Sequence, residues 1–350
     1  MSAPVRLLAV DTAVPPFRLD QDDVRKRART LFERRGYNIE RLMPAYANAG
    51  IDTRYSCVPI DWYEKDHDWP ERNRLYLDNS VALLVQTTEK LVEQAGIAIG
   101  DIDQIVVVSS TGIATPSLDA LLGERLPLRA DCRRLPIFGL GCAGGVMGLS
   151  RAAQLARAEP GSNVLLLVVE LCALTFRKED LRKSNVIATA LFGDGAGGAI
   201  VRADEKSDAP IISFWGEHRW PNSLDVMGWD VANNGLSVIF SRDIPTIVKR
   251  DFRGAFHAFL AKTGLRADQI DRFVCHPGGA KVIEALEEVF ELQTGTLRDA
   301  RETLRDFGNM SAATVLFVLK KALGETLRGK ILLSALGPGF TAAFAMLDAA

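Results

Sequence analysis

No two of the five cysteines (57, 132, 142, 172 and 275) form a C-x-x-C pair, and their number is odd. A disulfide framework and a structural zinc site are both argued against, since each needs thiols paired at short spacing. Histidine is equally scarce, with only His67, His218, His257 and His276. Any histidine partner for a reactive thiol must come from those four positions. An excess of one charge is missing too: 42 basic against 44 acidic side chains leave a net charge of -2. No general attraction to nucleic acid or to an anionic membrane is expected from that balance. No apolar run approaches the roughly 18 residues of a membrane span. The opening segment MSAPVRLLAVDTAVPP carries Asp11 early, where a secretory signal needs an unbroken apolar stretch. These absences predict a cytoplasmic protein with free thiols and no metal.

The composition that remains is globular: 47% hydrophobic and 25% charged over 350 residues, enough for two domains or one large duplicated one. Residues 20–50 read as a charge-rich surface helix, densest at DDVRKRARTLFERRG. A second helix is predicted over 79–96, closed by Gly96. IDQIVVVSSTG reads as a buried strand ending in a turn, and NVLLLVVELCAL and GAGGAIVRA read as two more. Strands rich in Val, Ile and Leu on both faces, alternating with helices, predict a covered α/β sheet. The polar stretch ADEKSDAP then divides the chain into residues 1–205 and 206–350. Beyond it lie a helix at DFRGAFHAFLAKTGL and a strand at DQIDRFVCH. A second helix there, GGAKVIEALEEVFEL, sets Val282, Leu286 and Val289 on one face and Glu284, Glu287 and Glu288 on the other. SAATVLFVLKKALGE is a third, and ILLSALGPGF and TAAFAMLDA form a strand pair joined by a glycine turn. DIDQIVVVSSTG and QIDRFVCHPGG share an IDxxV strand before a turn, which suggests two duplicated halves.

Three residues at element boundaries carry reactive chemistry. In GLGCAGGVMGLSRAAQLAR, Cys142 stands where a short apolar approach turns into an apolar helix. The unpaired N–H groups of a helix start favour thiolate over thiol, although a small core cysteine has the same surroundings. His276 follows the strand FVC and precedes Pro277, Gly278 and Gly279; ligand crevices in α/β sheets lie past strand carboxyl ends. Asn309, in FGNMSAATV, precedes another apolar helix and would also serve as an N-cap. Together they form a set in which Cys142 attacks a thioester and His276 holds the thiolate as an ion pair. His276 and Asn309 then donate hydrogen bonds to a thioester oxygen, stabilising the enolate left when a malonyl group loses carbon dioxide.

At these residues the chain resembles the type III polyketide synthases, the chalcone and stilbene synthase group of the thiolase fold. The matching blocks are STGIATPS (110–117), GCAGG (141–145), ELCALTF (170–176), LFGDGAG (191–197), GLSVIFSRDIP (235–245), CHPGG (275–279), GNMSAA (308–313) and LGPGF (336–340). The resemblance implies a five-layered αβαβα fold of two duplicated thiolase-like halves, residues 1–205 carrying the nucleophilic Cys142 and 206–350 carrying His276 and Asn309. It implies a homodimer, with malonyl-CoA and an acyl-CoA starter as substrates and no metal or bound cofactor. Phe192 matches the gatekeeper between the access tunnel and the cavity, or is a plain core residue. Gly337, Pro338 and Gly339 match the loop that shapes the cavity wall. Val238 stands where plant members carry a second gatekeeper phenylalanine, which opens space near the cysteine. Cys172 replaces a threonine, while Thr175 and Ser311 keep the later threonine and the cavity serine. Trp229 replaces a small residue and either refills the cavity or packs elsewhere. Asp52 loses a basic contact to the coenzyme A phosphates, and Arg54 remains for it. MGWD, SRDIP and LGPGF are similar to bacterial members that take fatty acyl starters and release alkylpyrones or alkylresorcinols. The rival within enzymes is β-ketoacyl-ACP synthase III, with HQAN-like and GNTS contexts in place of CHPGG and GNMSAA. A non-catalytic acyl-binding subunit is the rival outside enzymes, and the three intact residues argue against it.

Overall fold

The computed structural model describes residues 3–34, 36, 38–241, 243–325 and 328–349. Arg242 of the SRDIP block therefore lies outside the described residues. In chain order the strands are β1 (Val5–Ala13), β2 (Phe17–Asp20), β3 (Thr53–Ser56), β4 (Ile102–Val108), β5 (Arg133–Ile137), β6 (Asn163–Leu171) and β7 (Asp194–Ala203). They continue with β8 (Ile211–Arg219), β9 (Met227–Ala232), β10 (Gly235–Phe240), β11 (Arg272–Cys275), β12 (Gly329–Gly337) and β13 (Thr341–Ala349). Nine of them form one sheet in the order β11-β12-β13-β8-β1-β7-β6-β4-β5.

That order contains the same motif twice. On one side β4 runs parallel to β6, which is antiparallel to β7, which is antiparallel to β1. On the other, β11 runs parallel to β12, which is antiparallel to β13, which is antiparallel to β8. The echoed IDxxV segments fall on β4 and at the start of β11, which hold equivalent places. A single residue pair, Arg6 with Ile211, links the two arrays through β1 and β8. The polar stretch 203–210 is the connection between β7 and β8.

Alternation along β6 builds the layers. Val164, Leu166 and Val168 join one apolar cluster with the helix Gly144–Ala158, whereas Leu165, Leu167, Val169 and Leu171 join another with the helix Trp69–Ala95. A strand buried on both faces loses the polar alternation of a surface strand, as the run of Val and Leu predicted. The helix Thr314–Leu323, directly before β12, is the counterpart of Gly144–Ala158, directly before β6. These two pack together at the centre of the αβαβα stack. Gly145 allows the approach: a methyl group there would collide with the Ala312 carbonyl oxygen. On the far side, Phe252, Phe256, Phe259, Phe290 and Phe344 interlock, with Phe259 and Phe344 stacked at 5.0 Å.

Some local expectations shift. The helix expected at 79–96 starts ten residues earlier, at Trp69, where the Asp68 side chain caps the Glu71 N–H at 2.8 Å; Gly96 closes it in the left-handed conformation. Residues 20–50 are not one helix but Gln21–Glu33 and a short turn of helix at Pro44–Ala47. Glu287, placed on the polar face, is buried. Its carboxylate accepts the Gly295 and Leu297 N–H groups at 3.0 Å each and pairs with Arg301 at 2.5 Å.

Candidate active site

Two closely braced turns position Cys142 and Asn309. Cys142 sits in the 3-10 turn Gly141–Ala143 that opens into the helix Gly144–Ala158. Gly141 takes φ +47°, and its missing side chain leaves room for the ring of Pro338. Gly337 packs as closely on Ala143 and the Leu140 carbonyl. The Gly337–Pro338–Gly339 turn therefore braces the back of the cysteine turn, and Ser334, Ala335 and Leu336 line the cavity in its place.

Asn309 begins the matching turn. Its Oδ1 accepts the Ser311 N–H at 2.8 Å, an Asx turn leading into the 3-10 turn Ser311–Ala313. The N-cap reading fails, since Met310 and Ala313 hold the cap positions of that turn and of the helix Thr314–Leu323, and neither has a side-chain cap. That bond fixes the amide plane and turns Nδ2 towards the Gly278 carbonyl at 3.2 Å. One Nδ2 hydrogen serves Gly278, and the other is free for the cavity that Asn309 lines. Asn309 is also locked through its backbone: its N–H donates to the Leu191 carbonyl at 2.9 Å and its own carbonyl accepts the Gly193 N–H at 3.0 Å. Ser311 is held at φ +48°, a sparsely populated region for a non-glycine residue and a common signature of functional turns.

His276 extends β11, its N–H donating to the Ser334 carbonyl at 2.8 Å. The ring is buried, and neither Nδ1 nor Nε2 has a partner among the described residues. Cys142, His276 and Asn309 share one cavity of about 420 Å³, with Met227, Phe240 and Phe252 among its walls. The expected thiolate–imidazolium pair is absent. The Cys142 thiol instead donates to Ser311 Oγ at 3.6 Å. Burial pushes that thiol up to about 12, helped by the charge of Glu170, and pushes the His276 imidazole down to about 4. The helix start cannot outweigh this: a terminus contributes about 0.3–1 kcal/mol, less than one pKa unit, whereas full burial moves a group by about 3–5 units. Both shifts favour the neutral forms, a thiol and an imidazole, and such a pair can exchange a proton when a thioester arrives.

Arg54 is corrected as well. Its side chain is buried, and its guanidinium donates to the carbonyls of Thr189, Ala190 and Phe192 at 2.8, 2.8 and 2.9 Å and to Gln21 Oε1. These are the carbonyls that the end of the helix Lys183–Leu191 leaves unpaired. A guanidinium spent on a helix end is not available to a surface phosphate. What it fixes is Phe192.

Phe192 stands between two spaces. Its side chain lines a second cavity of about 660 Å³ together with Cys172, Thr175 and Val238, while its backbone is bridged to Asn309. Thr175 Oγ1 donates to the Cys172 carbonyl at 2.7 Å and holds that turn. Trp229 lies directly opposite Val238 across the β9–β10 ladder, on the same face, yet the lining of neither cavity includes it. A third, outer groove of about 1050 Å³ shares Phe240, Ile244, Gly278 and Val282 with the Cys142 cavity and carries Lys281 on its lip. Phe240 thus separates the outside from the cysteine, a place that nothing in its sequence context signalled. Glu170 was missed too: fully buried, it accepts the Ser110 N–H at 3.0 Å through Oε2, leaves Oε1 unpartnered, and is pushed up to about 8 by burial. A charged residue inside the apolar run LLLVVEL was the available signal.

Comparison with known proteins gives one answer throughout. The family model for chalcone and stilbene synthases matches in both parts, the N-terminal domain over residues 63–205 and the C-terminal domain over 216–347. A Bacillus subtilis (strain 168) protein named, provisionally, a chalcone synthase is 38% identical over 96% of this chain and 96% of its own length. A 1,3,6,8-tetrahydroxynaphthalene synthase of Streptomyces peucetius is 36% identical, covering 97% of this chain and 92% of that one. The crystal structure of the Streptomyces coelicolor 1,3,6,8-tetrahydroxynaphthalene synthase, described as a bacterial type III polyketide synthase, superposes with a TM-score of 0.93 at 26% identity, covering 98% of this chain and 99% of the other.

Proposed function

Because the chain belongs to the chalcone and stilbene synthase family of condensing enzymes, the type III polyketide synthases, we propose that it extends a fatty acyl-CoA starter with malonyl-CoA units on Cys142 and cyclises the product to an alkylpyrone or alkylresorcinol. The observation that carries the starter is the second cavity. Leu19, Val24, Ala28, Leu31, Ile60 and Phe176 give it an apolar depth behind Cys172 and Phe192, and the Cys172 thiol lies near enough to Cys142 to interact with it electrostatically. An alkyl chain gains about 0.8 kcal/mol for each methylene it removes from water.

The steps follow from the neutral pair. The starter thioester enters by the outer groove past Phe240. His276 takes the Cys142 proton as the sulfur attacks the thioester carbonyl, and the departing coenzyme A thiolate takes that proton back. Malonyl-CoA then loses carbon dioxide, and the electron pair passes to the thioester oxygen, held by His276 and the free Asn309 N–H. The enolate carbon attacks the Cys142-bound acyl carbonyl, a carbon–carbon bond forms, and Cys142 leaves as thiolate. No metal and no redox cofactor takes part in this sequence.

A second reading has one observation in its favour. The Streptomyces peucetius relative is named for a hydroxylated aromatic product, and a starter-free route from malonyl units alone would leave the apolar cavity unused. Mass spectrometry of products from malonyl-CoA with starters from acetyl to stearoyl separates the two, with Cys142→Ala alongside. Long-chain pyrones or resorcinols, absent in the variant, are expected. Aromatic products from malonyl-CoA alone would sink the fatty acyl reading, product from Cys142→Ala the whole scheme, and a single condensation onto an acyl carrier protein would favour the synthase III mechanism.

The homodimer of this reading pairs copies through β5. This edge strand bonds to β4 on one side only, and Ile113, Leu135 and Phe138 are exposed on and beside it, Phe138 by 60%. Open apolar edges invite a strand from another chain. Phe138→Glu is expected to shift sedimentation from dimer to monomer; a wild-type monomer would end the proposal.

A further inference from the structure

The larger cavity has an inner and an outer end. Cys172, Phe192 and Val238 lie at the inner end. Two elements roof the outer one: the helix Gln21–Glu33 and the 3-10 turn Ile60–Glu64. Val24, Arg27, Ala28 and Leu31 recur at helical spacing, so a single face of that helix forms one side of the roof, and Ile60 and Tyr63 form the other.

These elements belong to different packing units. Ala28 and Phe32 sink into a small cluster with Tyr46, Val186 and Ala190. Trp62 and Tyr63 pack on a separate one that holds Cys57, Val58 and Tyr76. The mouth of the cavity is the seam between the two, and Arg27 crosses it. Its stem lines the cavity while its guanidinium pairs with Asp61 at 2.8 Å and with Glu64. Arg27 is 37% exposed and Asp61 75%, so the bridge stands in water, where ion pairs are weak and screened by salt.

We propose that the Arg27–Asp61–Glu64 bridge is a latch that sets the longest acyl starter the enzyme accepts. The inference rests on the fatty acyl reading and names the residues that limit it. A chain gains free energy from each methylene buried until its end reaches the seam. A longer chain must pass between helix and turn, which parts the bridge. Each side keeps its own apolar cluster, and besides the bridge opening parts the edge contact of Tyr63 with Phe176, whose ring also meets Phe32. Arg27 acts as a specificity determinant, not as a group in the chemistry.

The test is the ratio of kcat/KM for stearoyl-CoA to that for hexanoyl-CoA. Arg27→Ala and Arg27→Glu are expected to raise this ratio about fivefold, the weight of one exposed ion pair of about 1 kcal/mol. The charge swap Arg27→Glu with Glu64→Arg is expected to return it towards wild type. Raising the ionic strength from about 0.05 to about 0.5 M is expected to raise the ratio in the wild type and not in Arg27→Ala. Both measurements compare two coenzyme A thioesters, so salt effects on coenzyme A itself cancel. Long-chain turnover with a ratio that neither Arg27→Ala nor salt moves would overturn the latch alone. No turnover of any starter beyond acetyl, in wild type or variant, would overturn the latch and the fatty acyl reading together.

Discussion

Asn309→Asp is expected to lower malonyl-CoA decarboxylation roughly 10²- to 10³-fold, the loss typical of one oxyanion donor, while the protein still folds, with a thermal midpoint lowered by the buried carboxylate oxygen that replaces the donor to the Gly278 carbonyl. The substitution divides two duties that one side chain performs. Oδ1 accepts the Ser311 N–H at 2.8 Å and holds the turn, and aspartate keeps that acceptor. Nδ2 donates to the Gly278 carbonyl at 3.2 Å and presents a second N–H to the cavity, and aspartate supplies neither. Its carboxylate would also face the forming enolate with like charge. Asn309→Ala would be a poorer probe, because it also leaves the buried Ser311 N–H without its acceptor. Acetyl-CoA release from malonyl-CoA, measured beside the thermal midpoint, checks the result. Decarboxylation within threefold of wild type in a folded Asn309→Asp protein would remove this residue from the chemistry.

His276→Ala is expected to change both the rate of Cys142 acylation and its dependence on pH. With His276 present, transfer needs a neutral imidazole, and burial holds that group near 4. The wild-type rate should therefore be flat from about pH 6 to 9. Without it, only pre-formed thiolate can react. The Cys142 thiol is pushed up to about 12, so the rate should climb tenfold per pH unit over the same range. At pH 7 general-base assistance is worth about 10²- to 10⁴-fold. Single-turnover acyl transfer followed by intact-protein mass spectrometry reads both. Iodoacetamide alkylation of the wild type should likewise rise with pH; a plateau by pH 6 would show that the resting pair is ionic.

The assay belongs above pH 6 for a reason of stability. His276 has a folded pKa of about 4 against 6.5 for the free group, so the unfolded chain binds the extra proton between those values. Stability from neutral His276 is complete above 6.5 and is lost as pH falls towards 4, about 3 kcal/mol in all at 1.36 kcal/mol per unit. Glu170 and Asp194, raised by burial to about 8 and about 6, act in the opposite direction: what they contribute is complete at low pH and is lost as pH rises through those values.

The three candidate residues that share the cavity were legible because each combined an uncommon side chain with an element boundary. Cys142 precedes a helix, His276 follows a strand and Asn309 opens a turn, and local patterning is what a sequence displays directly. The duplicated sheet was legible through the IDxxV echo of β4 and β11. The protonation state of the thiol was not. A helix start argues for thiolate within a few residues, while the burial that overrides it comes from residues such as Phe240, Phe252 and Leu336, which enclose the same cavity and lie far along the chain. Arg54 failed in the same way, since the carbonyls it caps lie 135 to 138 positions away. Val238 and Trp229 were singled out separately, and only the β9–β10 register makes them neighbours. Phe240 and Arg27 carry no local mark at all. Each acquires its place from spaces formed by elements that meet only in the folded chain.

The recurrence of one strand motif has a further consequence, best stated as symmetry. Cys142 and Asn309 fall in neighbouring places of the two halves: Cys142 is the middle residue of the turn Gly141–Ala143, whereas Ala312 holds that place in Ser311–Ala313 and Asn309 stands two residues ahead of that turn. Two copies of one turn, packed helix start against helix start, bring their surroundings to a common space whatever the residues are. Nearness of the two positions follows from the repeat, and on the proposed chemistry one copy supplies a nucleophile from within its turn and the other a donor from just ahead of it. Chemical asymmetry was written onto a geometry that was already symmetric.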